Sequence, residues 1–144
     1  METPSGWLFW ALLSALFAAF TAIFAKIGIA HVDSDLATLI RTCVLIVPLA
    51  LFVWLSGKWS DPLQLSAKTL TFLALSALAT GASWICYFRA LQLGEAAKVA
   101  PVDKLSVVLV AIFAVAFLGE RPNLREWSGI GLIGAGVVLL ALRR

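Results

Sequence analysis

Charge is scarce in this sequence. Lys, Arg, Asp and Glu make up 13% of its 144 residues, where a water-soluble domain carries about 25%. Histidine is nearly absent: His31 stands alone, in a loop between apolar runs. There is therefore no pair of imidazoles to hold a metal and no nucleophile–His pairing for acyl transfer. No enzyme is expected, and no cofactor. The two cysteines, Cys43 and Cys86, both fall inside apolar runs and read as small packing residues. Basic residues form no cluster with interleaved aromatics, so the net charge of +3 is not a nucleic-acid signal. Internal repeats of about 20–50 residues and low-complexity tracts are also missing. Residues 1–6 lack a basic n-region, and the first apolar run is too long for an h-region, so a cleaved signal peptide is not expected.

What is abundant is hydrocarbon. Apolar residues account for 62% of the chain and mean hydropathy is +1.00. They are gathered into five runs. A bilayer core of about 30 Å needs roughly 20 helical residues. Four of the runs are of that order. Trp7–Ala25 carries no charge, Leu36–Leu55 carries Arg41 alone, and Thr69–Phe88 again carries none. Val99–Leu118 has Asp103 and Lys104 near its start. Trp127–Leu142 is shorter, but it is flanked by Arg125, Arg143 and Arg144, whose heads can snorkel outward. The runs are continuous rather than alternating, which predicts helices and not barrel strands. The expected fold class is an all-α integral membrane protein with five transmembrane helices, at about 7–30, 35–55, 69–91, 97–118 and 125–142, forming one membrane domain over 1–144. Punctuation agrees. Asp33-Ser34-Asp35 offers N-cap oxygens before span two, Ser56-Gly57 closes it, and Gly94 and Gly119 end spans three and four. Asn123 is placed to cap span five. Function narrows to transport, gating, scaffolding or lipid handling.

Five spans put the two ends of the sequence on opposite sides of the membrane. Lys58, Lys68, Arg121 and Arg125 fall on the side of residue 1. Lys26, Arg89, Lys98, Arg143 and Arg144 fall on the other, joined at shallow depth by Arg41 and Lys104. The positive-inside rule gives only a weak preference. Either a few residues dominate and one orientation wins, or the chain inserts both ways and pairs antiparallel. Trp7, Trp10, Trp54, Trp59 and Trp127 form an interfacial belt on the first side.

The second half contains Tyr87-Phe88-Arg89-Ala90-Leu91, then Gly94-Glu95-Ala96-Ala97-Lys98-Val99-Ala100-Pro101. Further on come Phe117-Leu118-Gly119-Glu120-Arg121 and the glycine-rich run from Gly129 to Val137. In this order and spacing the chain resembles the EamA domain of the drug/metabolite transporter superfamily, with a Lys near the end of helix one and an Arg early in helix two. The resemblance implies a secondary transporter of a bacterial inner membrane. The family usually has ten helices, as two five-helix halves in an inverted repeat, and such repeats place the binding site at the midplane between them. A lone half needs a second copy or a related half in opposite orientation. An antiparallel homodimer is the expected partner arrangement, with the lipid bilayer and a small-molecule substrate as the other partners. The alternatives are a subunit of a heteromeric transporter and a flippase for a lipid-linked substrate. Related four-helix multidrug exporters couple through a Glu in helix one; span one here has no carboxylate, so that mechanism is not expected.

Candidate site residues follow from position. Ser76, Thr80, Ser83, Trp84 and Tyr87 share one face of span three. That face either hydrogen-bonds between helices or lines a cavity. Thr21, on a small-residue face of span one, packs or lines the same cavity as Trp84. Ionisable residues within spans are functional candidates by default. Arg41 and Asp103 sit about 8–9 Å inward from one side, either paired with each other or with Asp103 against Lys26. Asp103 is the candidate coupling group. Lys104, next in sequence, is expected to point away from it, and Arg89 is expected to snorkel to headgroups. Pro101 is placed in the first turn of span four, where a break would leave N–H groups open to an anion. The substrate-binding set is Thr21, Arg41, Thr80, Trp84, Tyr87 and Lys104, and a net-positive cavity favours a zwitterionic or anionic metabolite. Ser128, Gly131, Gly134 and Ala135 form a small-residue stripe for packing or dimerisation. The resemblance implies that helix five serves assembly more than substrate contact.

Overall fold

The structure, a computed structural model, describes residues 6–61 and 64–142. Arg143 and Arg144, expected to snorkel beyond span five, lie outside the described residues. Among the described residues, five helical spans are long and apolar enough to cross a membrane, and there is no strand. Most large apolar side chains on them are exposed, as expected where lipid replaces water as solvent. The chain divides between Leu93 and Gly94 into two compact units.

The first unit holds α1 (Gly6–Gly28), α2 (Ser34–Leu55) and α3 (Ala67–Leu93). The polar turn before α2 works as its composition predicts. The Asp33 carboxylate accepts from the backbone N–H groups of Asp35 (2.9 Å) and Leu36 (3.2 Å), satisfying two donors that the first helical turn leaves open. At the other end of α2, Gly57 takes a positive φ of 64° and stops the helix. The Ser66 hydroxyl caps α3 by accepting from the N–H of Thr69 at 3.1 Å. Polar contacts join one end of this unit. Lys26 donates to the carbonyl of Leu91 (2.5 Å), and Gln92 to that of Val32 (3.0 Å). Arg89 forms an ion pair with Asp35 at 2.8 Å. The last contact corrects the expectation that Arg89 simply snorkels: an acid at the start of α2 lies within its reach. Both side chains remain half-exposed, so a contribution of at most about 1 kcal/mol is expected.

The second unit carries the fourth and fifth spans. The fourth is not one helix. It runs as α4 (Ala96–Asp103), a tight turn at Lys104–Leu105, α5 (Ser106–Phe113) and a π-helical turn (Ala114–Leu118). Around the break the backbone changes to i−3 bonding. Lys104 donates to Pro101 (2.9 Å), Leu105 to Val102 (3.0 Å), Val107 to Lys104 (3.0 Å) and Val108 to Leu105 (3.0 Å). Pro101 is therefore in the interior of α4 and not in its first turn, because the helix begins earlier, at Ala96. The break falls after the proline, and the N–H groups of these four residues bond internally, so they are not open to an anion. Gly119, at φ 71°, ends the span. The last helix, α6 (Leu124–Leu142), opens with a reciprocal cap: Asn123 Oδ1 accepts from the N–H of Glu126 (3.0 Å) and Glu126 Oε2 from that of Asn123 (2.6 Å). α6 packs on α4 and α5.

Candidate functional site

Arg41 organises the first unit's polar chemistry. It stands seven residues into α2, roughly 10 Å along the helix at 1.5 Å per residue. Its approach is built by the helix itself: the hydroxyls of Thr38 and Thr42 turn back onto the carbonyls of Ser34 and Thr38, each at 2.8 Å. These side chains are thereby satisfied within α2. The Arg41 guanidinium carbon lies 4.3 Å from the centre of the Trp84 ring and 5.4 Å from that of Phe88, both on α3. Among the described residues it makes no hydrogen bond and no ion pair. An arginine carries five N–H donors and no acceptor. The aromatic rings hold the cation by their quadrupoles but give those donors no lone pair.

Two cavities flank this cation. One, of about 410 Å³, lies between α1 and α2 and reaches Arg41, Thr21 and Phe88. Its walls are apolar apart from Thr21 and Arg41, with Phe24, Ile29 and Ile40 among them. The other, of about 370 Å³, lies between α2 and α3 and is lined by Thr42, Ser76, Thr80 and Trp84 among others. The expectation that Thr21 and Trp84 share one cavity is corrected here: Thr21 lines the first with Arg41 and Phe88, and Trp84 lines the second. The Thr80 hydroxyl donates to the carbonyl of Ser76 on its own helix at 2.9 Å, so its use is local and not interhelical. Ser83 is exposed and Tyr87 half-buried. The Tyr87 ring meets that of Phe88 edge-on, with centroids 6.3 Å apart.

In the second unit, Asp103 and Lys104 stand at the break of the fourth span and pair with each other, Nζ to Oδ2, at 3.1 Å. This corrects the expectation that Lys104 points away from Asp103. Lys104 is the cap residue that ends α4, and its long side chain reaches back to the neighbouring carboxylate. Of the small residues on α6, Gly134 is used within the chain, since a Cβ there would come within 3.2 Å of Val108 on α5. Gly131 has open space around it, and Ser128 and Ala135 are exposed. The stripe thus has one residue committed to internal packing and three facing outward. Among the described residues, no group of three or more His, Cys, Asp or Glu side chains is placed to hold a metal.

The Arg41–Trp84 stack is not evident from sequence, although each residue stands out separately by type and depth. The missing signal is register: Arg41 on α2 and Trp84 on α3 face each other only once the helix ends are fixed.

Known proteins bear on this geometry. Residues 5–142 match the EamA-like transporter family. An uncharacterized transporter in the cobO 3′ region of a Sinorhizobium species is 60% identical over 136 residues, covering 94% of this chain and 96% of the relative. An uncharacterized transporter of Bacillus subtilis, YxxF, is 27% identical over 137 residues, and the chain spans 43% of its length. The probable 4-amino-4-deoxy-L-arabinose-phosphoundecaprenol flippase subunit ArnE of Yersinia pestis is 32% identical over 73 residues, 51% of this chain and 64% of the relative. No solved structure matches.

Proposed function

Since this chain belongs to the EamA-like transporter family, a multi-pass protein of the bacterial inner membrane, we propose that it is a secondary transporter of a small zwitterionic or anionic metabolite. The functional unit is an antiparallel homodimer with alternating access, each copy contributing one membrane domain over 1–144. The observation that carries the reading is Arg41: a permanent cation within a membrane span, with no acid partner among the described residues and a cavity beside it. Arg41, Thr21, Thr80, Trp84 and Tyr87 of the first unit are assigned to the substrate, and Lys104 of the second is kept as a separate candidate contact. Asp103 is assigned to coupling, because it is the one carboxylate set well inside a span. Ser128, Gly131 and Ala135 are assigned to the dimer contact and Gly134 to packing within the chain. Two features support dual orientation: the weak Lys/Arg bias and the family's inverted-repeat logic, which needs a second five-helix set.

A second reading has its own support. The likeness to ArnE, named as a flippase subunit, favours a heteromeric assembly in which this chain needs a different five-helix partner and handles a lipid-linked substrate. Reconstitution separates the two. Proteoliposomes containing this chain as their sole protein should accumulate or exchange substrate under a proton gradient. Uptake that appears only when a second EamA protein is added would overturn the homodimer and favour the subunit.

A further inference from the structure

We infer that the cavity between α1 and α2 selects an amphipathic monoanion, a carboxylate on an apolar body, over the corresponding zwitterion or cation. This narrows the substrate class within the function proposed above and rests on that reading for its role in transport.

Three observations carry it. First, among the described residues Arg41 is the only ionisable one lining the cavity, so their side chains offer one positive charge and no negative one. Asp35, the acid in the first turn of the same helix, is already committed to Arg89 at 2.8 Å. Second, the guanidinium has no hydrogen-bond acceptor among the described residues, and its planar fork matches a carboxylate in bidentate geometry. Trp84 and Phe88 hold it in place without consuming that capacity. Third, the rest of the cavity is hydrocarbon, with Phe24, Ile29, Ile40 and Phe88 among its walls and Thr21 as the one neutral polar side chain. Its volume, about 410 Å³, is within the range of small-molecule sites.

Charge matching then decides between ligands. A monoanion neutralises Arg41 and buries its apolar body. A zwitterion brings an ammonium into walls with no carboxylate to meet it, and an unpaired desolvated charge is costly. A cation adds repulsion from Arg41. A dianion leaves one charge uncompensated.

The test uses the full chain in nanodiscs of zwitterionic lipid, with empty nanodiscs subtracted. Three probes share one body: 3-phenylpropanoate, phenylalanine and 3-phenylpropylamine. Calorimetric titration should give 3-phenylpropanoate an affinity at least about tenfold above the other two, the size expected of a charge-assisted hydrogen bond. Arg41→Gln should remove that preference. Gly28→Leu tests the cavity without touching the cation. Gly28 lines the cavity and has open space where a Cβ would stand, so a leucine side chain can enter the site from α1. It should lower 3-phenylpropanoate affinity about tenfold while leaving the fold intact by circular dichroism. If Arg41→Gln fails to fold, the probe series and Gly28→Leu still decide. Equal or tighter binding of phenylalanine or the amine, no binding of any probe, or an affinity indifferent to Gly28→Leu overturns the inference. Binding of the monoanion without uptake in proteoliposomes instead removes the transport reading and leaves the selectivity standing. Uptake of zwitterions without monoanion binding does the reverse.

Discussion

The stack of Arg41 on Trp84 should be measurable as a coupling energy. A cation within about 6 Å of a ring centre gains about 0.5–1 kcal/mol at exposed sites and about 2 kcal/mol when desolvated. Here the separation is 4.3 Å, Arg41 is half-buried, and Phe88 adds a second ring at 5.4 Å. An intermediate value of about 1–1.5 kcal/mol follows for the Trp84 contact. The perturbation is a double-mutant cycle of Arg41→Gln, Trp84→Leu and the pair, since leucine keeps apolar bulk while removing the ring. Reversible unfolding in mixed micelles, followed by circular dichroism, reports each stability. The two single losses should exceed the loss in the double variant by about 1 kcal/mol, and Trp84→Phe should retain part of the coupling. Additivity within about 0.3–0.5 kcal/mol, the behaviour of independent sites, would refute the stack as an energetic contact. It would also remove the means by which Arg41 is held at the cavity edge.

Three further outcomes are expected. Asp103→Asn should abolish proton-driven accumulation in proteoliposomes while leaving substrate exchange measurable; full retained coupling removes Asp103 as the coupling group. Gly134→Leu should destabilise the chain, because its side chain would meet Val108, whereas Gly131→Leu should leave the fold intact and reduce the dimer fraction in sedimentation. The opposite pattern would exchange their assignments. Asp33→Ala removes an acceptor of two backbone N–H groups and should cost about 1 kcal/mol in unfolding, the usual worth of an N-cap; an unchanged midpoint would mean the cap is replaced by water.

The helices are legible in the sequence because their signals are local. Apolar length marks a span, and Asp33, Gly57, Gly119 and Asn123 mark ends through their own side-chain or backbone chemistry. The capping partner Glu126, three residues beyond Asn123, is open to the same reasoning, though apolar length alone does not point to it. The break at Lys104–Leu105 is harder to see. Starting the fourth span at Val99 puts Pro101 in a first turn, where proline is harmless, and hides its position inside a helix that begins at Ala96. The error at Asp103–Lys104 has the same cause, since it assumes an unbroken helix where α4 ends at Asp103. Contacts between distant positions are not legible at all. Asp35 and Arg89 are 54 residues apart in sequence, and nothing in either segment names the other. Arg41, Thr21, Trp84 and Thr80 are each recognisable from residue type and depth, but their division between two cavities depends on which helix faces meet.

Orientation in the membrane tests the central claim most directly. Reporters active only inside or only outside the cell, fused after residue 144 and in the loop between α2 and α3, record which way the chain inserts. Signal from both members of a pair at each position is expected of an antiparallel homodimer. Signal from one member alone would contradict it and require an inverted partner of different sequence.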